Sequence, residues 1–202
     1  LFPAFYTWSL VGTGANVSPY MLGGGIGGFV VALVTIFKKE WSPYTAPLYT
    51  FLQGLFLGAI SGIYESQFQG ITVQAVGLTF GTLFLLLTAY LFGWIQVTQK
   101  LRSGIMIATG SVAVVYLVSM VFNLFGGSVP YIHGSGPIGI GFSLVVVGIA
   151  AMNLLLDFEF INEGAEQQAP KYMEWFAGFG LMVTLIWLYI EMLRLLSKIR
   201  NN

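Results

Sequence analysis

Cysteine, histidine and charge are the scarcest features of this chain. Its 202 residues include no cysteine and a single histidine, His133. The missing cysteines exclude disulfide bonds, thiolate metal sites and a cysteine nucleophile, and the lone histidine excludes a metal site built from several histidines. Only 8% of the residues are charged, against about 25% in an ordinary soluble domain. Because so few charges cannot cover a soluble surface, these absences favour a membrane protein.

Long apolar runs make up most of what is present, and 56% of the residues are hydrophobic. A membrane crossing needs about 20 apolar residues, and a barrel would show short alternating strands instead of such runs. The sequence therefore predicts an all-α integral membrane protein, a single domain over residues 1–202 with seven transmembrane helices. The predicted segments are Leu1–Ala15, Tyr20–Phe37, Ala46–Tyr64, Ile71–Ile95, Gly104–Phe125, Pro137–Leu156 and Trp175–Leu196. Residue 1 is a leucine inside an apolar run, so we expect the first helix to be truncated.

Basic residues are concentrated on one side of the predicted bundle. The loops on the side of the N-terminus hold five of them, and the loops on the other side hold none. The positive-inside rule then predicts that the N-terminal side is cytoplasmic. The net charge is zero, so it gives no argument for a nucleic-acid partner. The five basic loop residues are Lys38, Lys39, Lys100, Arg102 and Lys171.

Glycines recur at the spacing that lets helix backbones approach closely. We interpret them as intramolecular packing positions rather than a dimer face, and we expect a monomer. Gln53, beside one of these glycines, is polar at membrane depth. We expect its side chain either to hydrogen-bond to a neighbouring helix or to line a pore. The glycines are Gly23, Gly24, Gly27 and Gly28 in the second segment, and Gly54, Gly58 and Gly62 in the third.

The stretch between segments six and seven holds five of the eight acidic residues of the chain. Asp157 ends segment six and Glu174 starts segment seven, on the same side of the membrane. Two carboxylates brought close in a dry site cannot both ionise cheaply, so such a pair shares a proton and responds to pH. The pair also offers oxygen ligands to Ca²⁺. The alternative is that these acids lie exposed at the membrane surface.

A second charged group lies near the end of segment seven. Glu191 and Arg194 are three residues apart, so they face each other on a helix. They form either a local ion pair or, with Glu191 pointing into the bundle, a second acidic site. On a straight helix Glu191 lies about 25 Å from Glu174, so Asp157 cannot contact both.

Two stretches carry a family resemblance. They are HGSGPIGIGFSLVVVGIAAMNLLLDFEFI (133–161) and APKYMEWFAGFGLMVTLIWLYIEMLRLLSKIR (169–200). With seven short-looped helices, they resemble the Bax inhibitor-1 family, also called the transmembrane BAX-inhibitor-motif family, and its bacterial branch. The resemblance implies six helices in two layers around a central seventh. It also implies a pH-sensitive calcium leak across a cell membrane, here the bacterial inner membrane.

The resemblance further implies that an acidic pair on helices six and seven is the pH sensor and gate. Asp157 matches the helix-six member, in LLDF. For helix seven, the motif WLYIEMLRLL favours Glu191, whereas membrane depth favours Glu174, which we rank slightly ahead. Asp157 and Glu174 would then contact calcium, with no other cofactor. At low pH the pair shares a proton and closes the path, and at higher pH both ionise and attract Ca²⁺. Gln53, Arg102 and Arg194 are candidate pore or latch residues.

Other classes of membrane protein fit the composition less well. A transporter or exporter of another solute would be supported by inverted repeats, and no internal repeat is visible. A scaffold in the membrane that only binds partner proteins remains an alternative. Motifs of intramembrane proteases, such as HExxH and GxGD, are absent, and the only histidine is adjacent to Gly134-Ser135-Gly136 in a loop. We therefore expect that the chain is not an enzyme, and that its partners are the bilayer and calcium.

Overall fold

The computed structural model describes residues 2–125 and 136–201 of the chain. Seven α-helices lie in these ranges, together with a short 3-10 helix, Lys39–Trp41, and no strand is found there. The prediction of an all-α protein with seven helices is confirmed. The helices are α1 (Phe2–Gly12), α2 (Ser18–Phe37), α3 (Ser42–Gln67), α4 (Ile71–Leu91), α5 (Gln99–Leu124), α6 (Pro137–Glu166) and α7 (Tyr172–Arg200).

Six of these helices, α2 to α7, are long and apolar enough to cross a membrane. The 11 residues of α1 are fewer than the roughly 17 that a crossing needs. Large apolar side chains point outward from the spans. Phe29 on α2 is 63% exposed, Phe84 on α4 is 61% exposed and Val114 on α5 is 58% exposed. Such surfaces suit lipid rather than water, so the chain is a multi-pass membrane protein.

The helices that flank the acidic stretch are longer than their apolar runs. Whereas the predicted sixth segment ends at Leu156, α6 continues to Glu166, and α7 runs from Tyr172 to Arg200. A helix persists as long as its backbone hydrogen bonds do, and alanine and glutamate are good helix formers. Asn162 Nδ2 also donates a hydrogen bond of 2.9 Å to Glu166 Oε1, one turn further on. The acids of α6 therefore lie on a helix rather than in a loop.

The start of the predicted third segment, at Ala46, is too late. In the structure α3 begins at Ser42, with Pro43 in its first turn and Pro47 inside it. Proline at a helix start is favourable because its missing N–H has no partner there anyway. Most of the connection between the predicted fifth and sixth segments, including His133, lies outside the described residues.

The described chain divides into two compact units. The first consists of Leu1–Gln74 and Phe160–Ile186, and the second of Ala75–Glu159 and Trp187–Asn202. In the first unit α3 packs against both α1 and α2. A cluster of Ala46, Tyr49 and Phe179 forms its apolar core.

Glycines make these helix contacts possible. A side chain at Gly58 of α3 would collide with the Ala4 carbonyl and Thr7 hydroxyl of α1, and one at Gly24 of α2 would lie 2.6 Å from the Leu52 carbonyl of α3. The Thr7 hydroxyl itself lies 3.1 Å from the Leu55 carbonyl oxygen. The interpretation as intramolecular packing positions is confirmed for six of the seven glycines, whereas a Cβ added at Gly23 would meet no atom within 4 Å.

The turn between α3 and α4 is closed by Glu65. Its two carboxylate oxygens accept the backbone N–H groups of Gly70, at 2.6 Å, and of Thr72, at 3.0 Å. Gly70 has φ +78°, a left-handed conformation that glycine adopts at no steric cost. An acid at this position satisfies free N–H groups at the start of α4 and complements the helix dipole.

The second unit brings together α4, α5, most of α6 and the end of α7. Its core includes Val146 and Leu154 of α6 and Leu188 and Leu193 of α7, all with no exposed surface. Asn153 Nδ2 of α6 donates a hydrogen bond of 2.8 Å to Thr109 Oγ1 of α5. This unit holds most of the charged groups described next.

Candidate functional site

A buried polar cluster lies in the second unit and begins on α7. Glu191, Arg194 and Lys198 are separated by three and four residues, so they share one face of the helix. Glu191 is 1% exposed and Lys198 is 6% exposed. Arg194 Nη1 lies 2.9 Å from Glu191 Oε1. The local ion pair anticipated from the spacing is confirmed, and Glu191 also points into the protein.

Tyr116 of α5 completes the environment of Glu191. Its hydroxyl donates a hydrogen bond of 2.9 Å to Glu191 Oε1, and it accepts one of 2.7 Å from Arg194 Nη1. The guanidinium carbon of Arg194 is 5.1 Å from the centre of the Tyr116 ring. The three groups form a closed triangle in which both carboxylate oxygens of Glu191 accept a hydrogen bond. A buried carboxylate requires such pairing, because an unpaired charge inside an apolar span is costly.

Lys198, near the end of α7, forms hydrogen bonds with residues near the beginning of α6. Its Nζ donates hydrogen bonds to the carbonyl oxygen of Gly139, at 3.1 Å, and to Ser143 Oγ, at 2.9 Å. Ser143 is 1% exposed. The predicted seventh segment ended at Leu196, with Lys198 beyond it. Instead, the helix continues past Lys198, and the ammonium group is held inside the protein.

The cluster carries more positive than negative charge. With all three groups ionised, Glu191 contributes −1 and Arg194 and Lys198 contribute +1 each, which sums to +1. Protonation of Glu191 would raise this sum to +2. The charge of the cluster therefore depends directly on the state of one buried carboxyl group.

The acids of α6 form a second charged group. The Tyr90 hydroxyl of α4 donates a hydrogen bond of 2.7 Å to Glu159 Oε2, and the rings of Tyr90 and Phe158 lie 5.9 Å apart. Asp157, one residue before Phe158, is half-buried, and its Oδ2 atom is shielded from solvent. Asp157 and Glu159 are thus packed or hydrogen-bonded within the helical part of the protein, and they do not lie exposed in a loop.

The three predicted sensor carboxyls lie in different surroundings. Glu174 is exposed in the first turn of α7 and belongs to the first unit, whereas Asp157 and Glu191 belong to the second. A contact between Asp157 and Glu174 therefore stays a prediction. All hydrogen bonds of Glu191 within the described residues run to Tyr116 and Arg194.

The distance between Asp157 and Glu191 can be gauged from the helix geometry. Asp157 lies fourteen residues, about 21 Å, beyond Ser143 on α6, and Glu191 lies seven residues, about 10 Å, before Lys198 on the antiparallel α7. Since Lys198 contacts Ser143, the two carboxyls are about 10 Å apart along the helix axes. They act at separate levels of the unit and do not share one hydrogen bond.

Gln53 and Arg102 are the remaining predicted pore or latch residues. The Oε1 atom of Gln53 is buried and accepts no hydrogen bond from the described residues, although we expected a bond to a neighbouring helix. Its amide nitrogen lies against Gly28, where an added Cβ would be 2.6 Å away. Arg102 is half-buried in the first turn of α5, and its role as a latch stays a prediction.

Metal-binding geometry is limited in the part of the chain that the structure describes. No group of three or more His, Asp or Glu side chains comes together there as a metal site. Ca²⁺ prefers six to eight oxygen ligands.

Tyr116 and Ser143 were missed by the sequence reading. Each is a single polar residue within a long apolar helix, and such residues are common on lipid-facing and core-facing positions alike. One feature of the sequence could have drawn attention to Tyr116: a tyrosine within an apolar helix usually needs a hydrogen-bond partner for its hydroxyl when it is buried. That signal does not identify the partner, since Glu191 lies on a helix far away in the sequence.

Comparison with known proteins gives one match. The model of a family described as Bax inhibitor 1 like matches residues 1–201, nearly the whole chain. Neither the curated proteins nor the solved structures include a significant match.

Proposed function

Because the chain belongs to the Bax inhibitor 1 like family, we propose that it is a pH-sensitive calcium leak channel whose gate uses the carboxyl groups of Asp157 on α6 and Glu191 on α7. Calcium is the permeant ion, no cofactor takes part, and the chain is not an enzyme. We further propose that the protein works as a monomer in the bacterial inner membrane.

The observation that carries the proposal is the burial of Glu191. It lies inside a span long and apolar enough to cross the membrane, is 1% exposed, and is held by Tyr116 and Arg194. Ionisable residues at such depth are expensive and mark ion pathways and proton relays. Glu174, by contrast, is exposed. We therefore now favour Glu191 as the helix-seven member of the gate.

The charge of the buried cluster supports the direction of the pH response. At low pH a protonated Glu191 leaves two cationic side chains, Arg194 and Lys198, and the cluster then repels Ca²⁺ more strongly. At higher pH the ionised carboxylate offsets one of these charges. Flux should thus rise with pH.

The acids at the end of α6 support calcium as the ion. Four carboxylates, including Asp157, lie within ten residues of one helix, where they raise the local concentration of divalent cations. Carboxylate oxygens are preferred ligands of Ca²⁺. Without a site of three or more acids in the described residues, bound calcium would leave readily, as conduction requires.

The distribution of basic residues supports an orientation. Five Lys or Arg residues lie in or beside the connections on the side of the N-terminus, and none lies in the connections on the other side. We propose that this side is cytoplasmic. The acidic end of α6 then faces the cytoplasm.

The test is calcium flux into liposomes that contain the purified protein, between about pH 5 and 8. We expect flux that rises with pH in the unmodified protein and a flattened pH dependence in both Glu191→Gln and Asp157→Asn. Glu174→Gln is the matched control, since it removes an exposed acid from the same helix as Glu191. An unchanged pH profile in both test variants would refute the gate. Absence of flux at every pH would refute the leak itself and favour a partner-binding scaffold.

A further inference from the structure

A groove lies between α5 and α6 of the second unit. Its volume is about 270 Å³, near the lower end of the range for small-ligand pockets, about 300–1,000 Å³. It is long enough on the α5 side to follow two turns of the helix. Its lining consists of Lys100, Leu101, Gly104, Ile105 and Ala108 of α5 with Ile149 and Met152 of α6.

The surface of the groove is almost wholly apolar, and a single charged residue stands among those that line it. Six of its seven residues are apolar or glycine, and Lys100 is the exception. Lys100 is exposed in the first turn of α5. Within residues 2–125 and 136–201 its ammonium group makes no hydrogen bond or ion pair, whereas Lys198 is held by Gly139 and Ser143. The cation of the groove is therefore available to a ligand.

We propose that the groove binds an anionic phospholipid, with part of one acyl chain along the α5–α6 floor and the phosphate on Lys100. The volume accommodates a segment of a chain and not a whole lipid. The amphipathic arrangement matches the two ends of such a molecule, because the apolar floor runs into the span and Lys100 lies at its end. The α5 N-terminus adds the positive end of a helix dipole beside Lys100.

Charge decides which lipid the groove prefers. A zwitterionic headgroup offsets its phosphate with its own ammonium, while an anionic headgroup leaves net charge for Lys100 to neutralise. A basic residue near the surface contributes about 1 kcal/mol toward anionic lipids, which is about a fivefold preference. Lys100 lies on the side that the positive-inside rule assigns to the cytoplasm, where anionic lipids give the leaflet a negative potential.

Glycine at position 104 leaves the floor of the groove open. A Cβ added there would meet no atom within 4 Å, so Gly104→Leu would fill the groove without displacing the backbone. Gly110, on the same helix, has equally open surroundings and does not line the groove. Gly110→Leu is therefore a matched control for added bulk. Lys171→Gln is the control for lost charge, because Lys171 is exposed and lies in the connection before α7.

The experiment is native mass spectrometry of the protein extracted from bilayers with equal amounts of phosphatidylglycerol and phosphatidylcholine. We expect one retained phosphatidylglycerol per chain, favoured about fivefold over phosphatidylcholine. Lys100→Gln should abolish the preference and Gly104→Leu should reduce retention of both lipids. Gly110→Leu and Lys171→Gln should behave like the unmodified protein.

Several results would overturn the proposal. Equal loss of preference in Lys100→Gln and Lys171→Gln would show general charge attraction and no site at the groove. Undiminished retention in Gly104→Leu would place the lipid elsewhere. Retention of a second copy of the chain, or of an apolar solute in place of the lipid, would identify a different occupant. None of these results depends on whether the protein conducts calcium.

Discussion

Tyr116 on α5 and Glu191 on α7 are joined by a hydrogen bond of 2.9 Å although 75 residues separate them in the chain. The bond gives a buried carboxylate a neutral donor in addition to the charged one from Arg194. One donor is neutral and the other is charged, and both belong to side chains that also contact each other, since Arg194 Nη1 lies 2.7 Å from the Tyr116 hydroxyl. The three predictions that follow examine this cluster and the helix packing in the first unit.

Tyr116→Phe should destabilise the protein by about 1–3 kcal/mol. The substitution keeps the ring and its contact with Phe142, 6.4 Å away between centroids, but removes the hydroxyl that bridges Glu191 and Arg194. Thermal unfolding in detergent, followed by tryptophan fluorescence, measures the loss. Tyr44→Phe is the control, because Tyr44 is 82% exposed. Equal stability of the two variants would contradict a structural role for the hydroxyl.

Arg194→Met should be more harmful alone than in combination with Glu191→Gln. Alone it leaves a buried carboxylate with one neutral donor, which we expect to cost about 2 kcal/mol, below the usual cost for a broken buried pair since Arg194 is partly exposed. The double substitution removes the unpaired charge and should recover at least half of the loss. The same unfolding measurement is used, with Lys171→Met as the control for a lost surface cation. Strict additivity of the two substitutions would argue against their coupling.

Two glycine substitutions should change the stability of the protein in opposite directions. Gly58→Ala places a methyl group against Ala4 and Thr7 of α1 and should destabilise by about 1–3 kcal/mol. Gly81→Ala on α4 meets nothing within 4 Å and should stabilise by about 0.5–1 kcal/mol, because alanine favours the helix over glycine. Comparison of their unfolding temperatures checks both. If Gly58→Ala were tolerated as well as Gly81→Ala, α1 would not pack on α3 as closely as described.

Much of the fold follows from hydropathy and small-residue spacing. The apolar runs located all seven helices. The glycine spacing predicted the close approach of helix backbones at Gly24 and Gly58, and the close packing of neighbouring side chains at Gly28 and Gly62. Helix ends were less predictable. Hydropathy predicts which residues lie in lipid, and it does not predict where the helix stops. A helix such as α6 continues beyond the lipid as long as its backbone hydrogen bonds continue.

The candidate site was only partly visible in the sequence. Local spacing revealed the pair Glu191–Arg194, because residues three apart are neighbours on any helix. The contribution of Tyr116 and the anchoring of Lys198 on α6 depend on which helices are neighbours in space, and spacing along the chain carries no such information. The motif favours Glu191 and membrane depth favours Glu174, which we rank slightly ahead from the sequence alone. The burial of Glu191 is what favours it in the proposal, and the assignment stays a prediction.

The length of α6 has an electrostatic consequence. Its 30 residues extend about 45 Å, while the hydrocarbon core of a bilayer is about 30 Å thick. About ten residues at the acidic end thus project roughly 15 Å beyond the lipid, which is nearly two Debye lengths at physiological salt, about 8 Å each. The outermost carboxylates, such as Glu166, are therefore screened from the membrane interior, while those near Asp157 act on ions close to the membrane surface. Ionic strength, as well as pH, sets how far the protein's field extends into the surrounding solution.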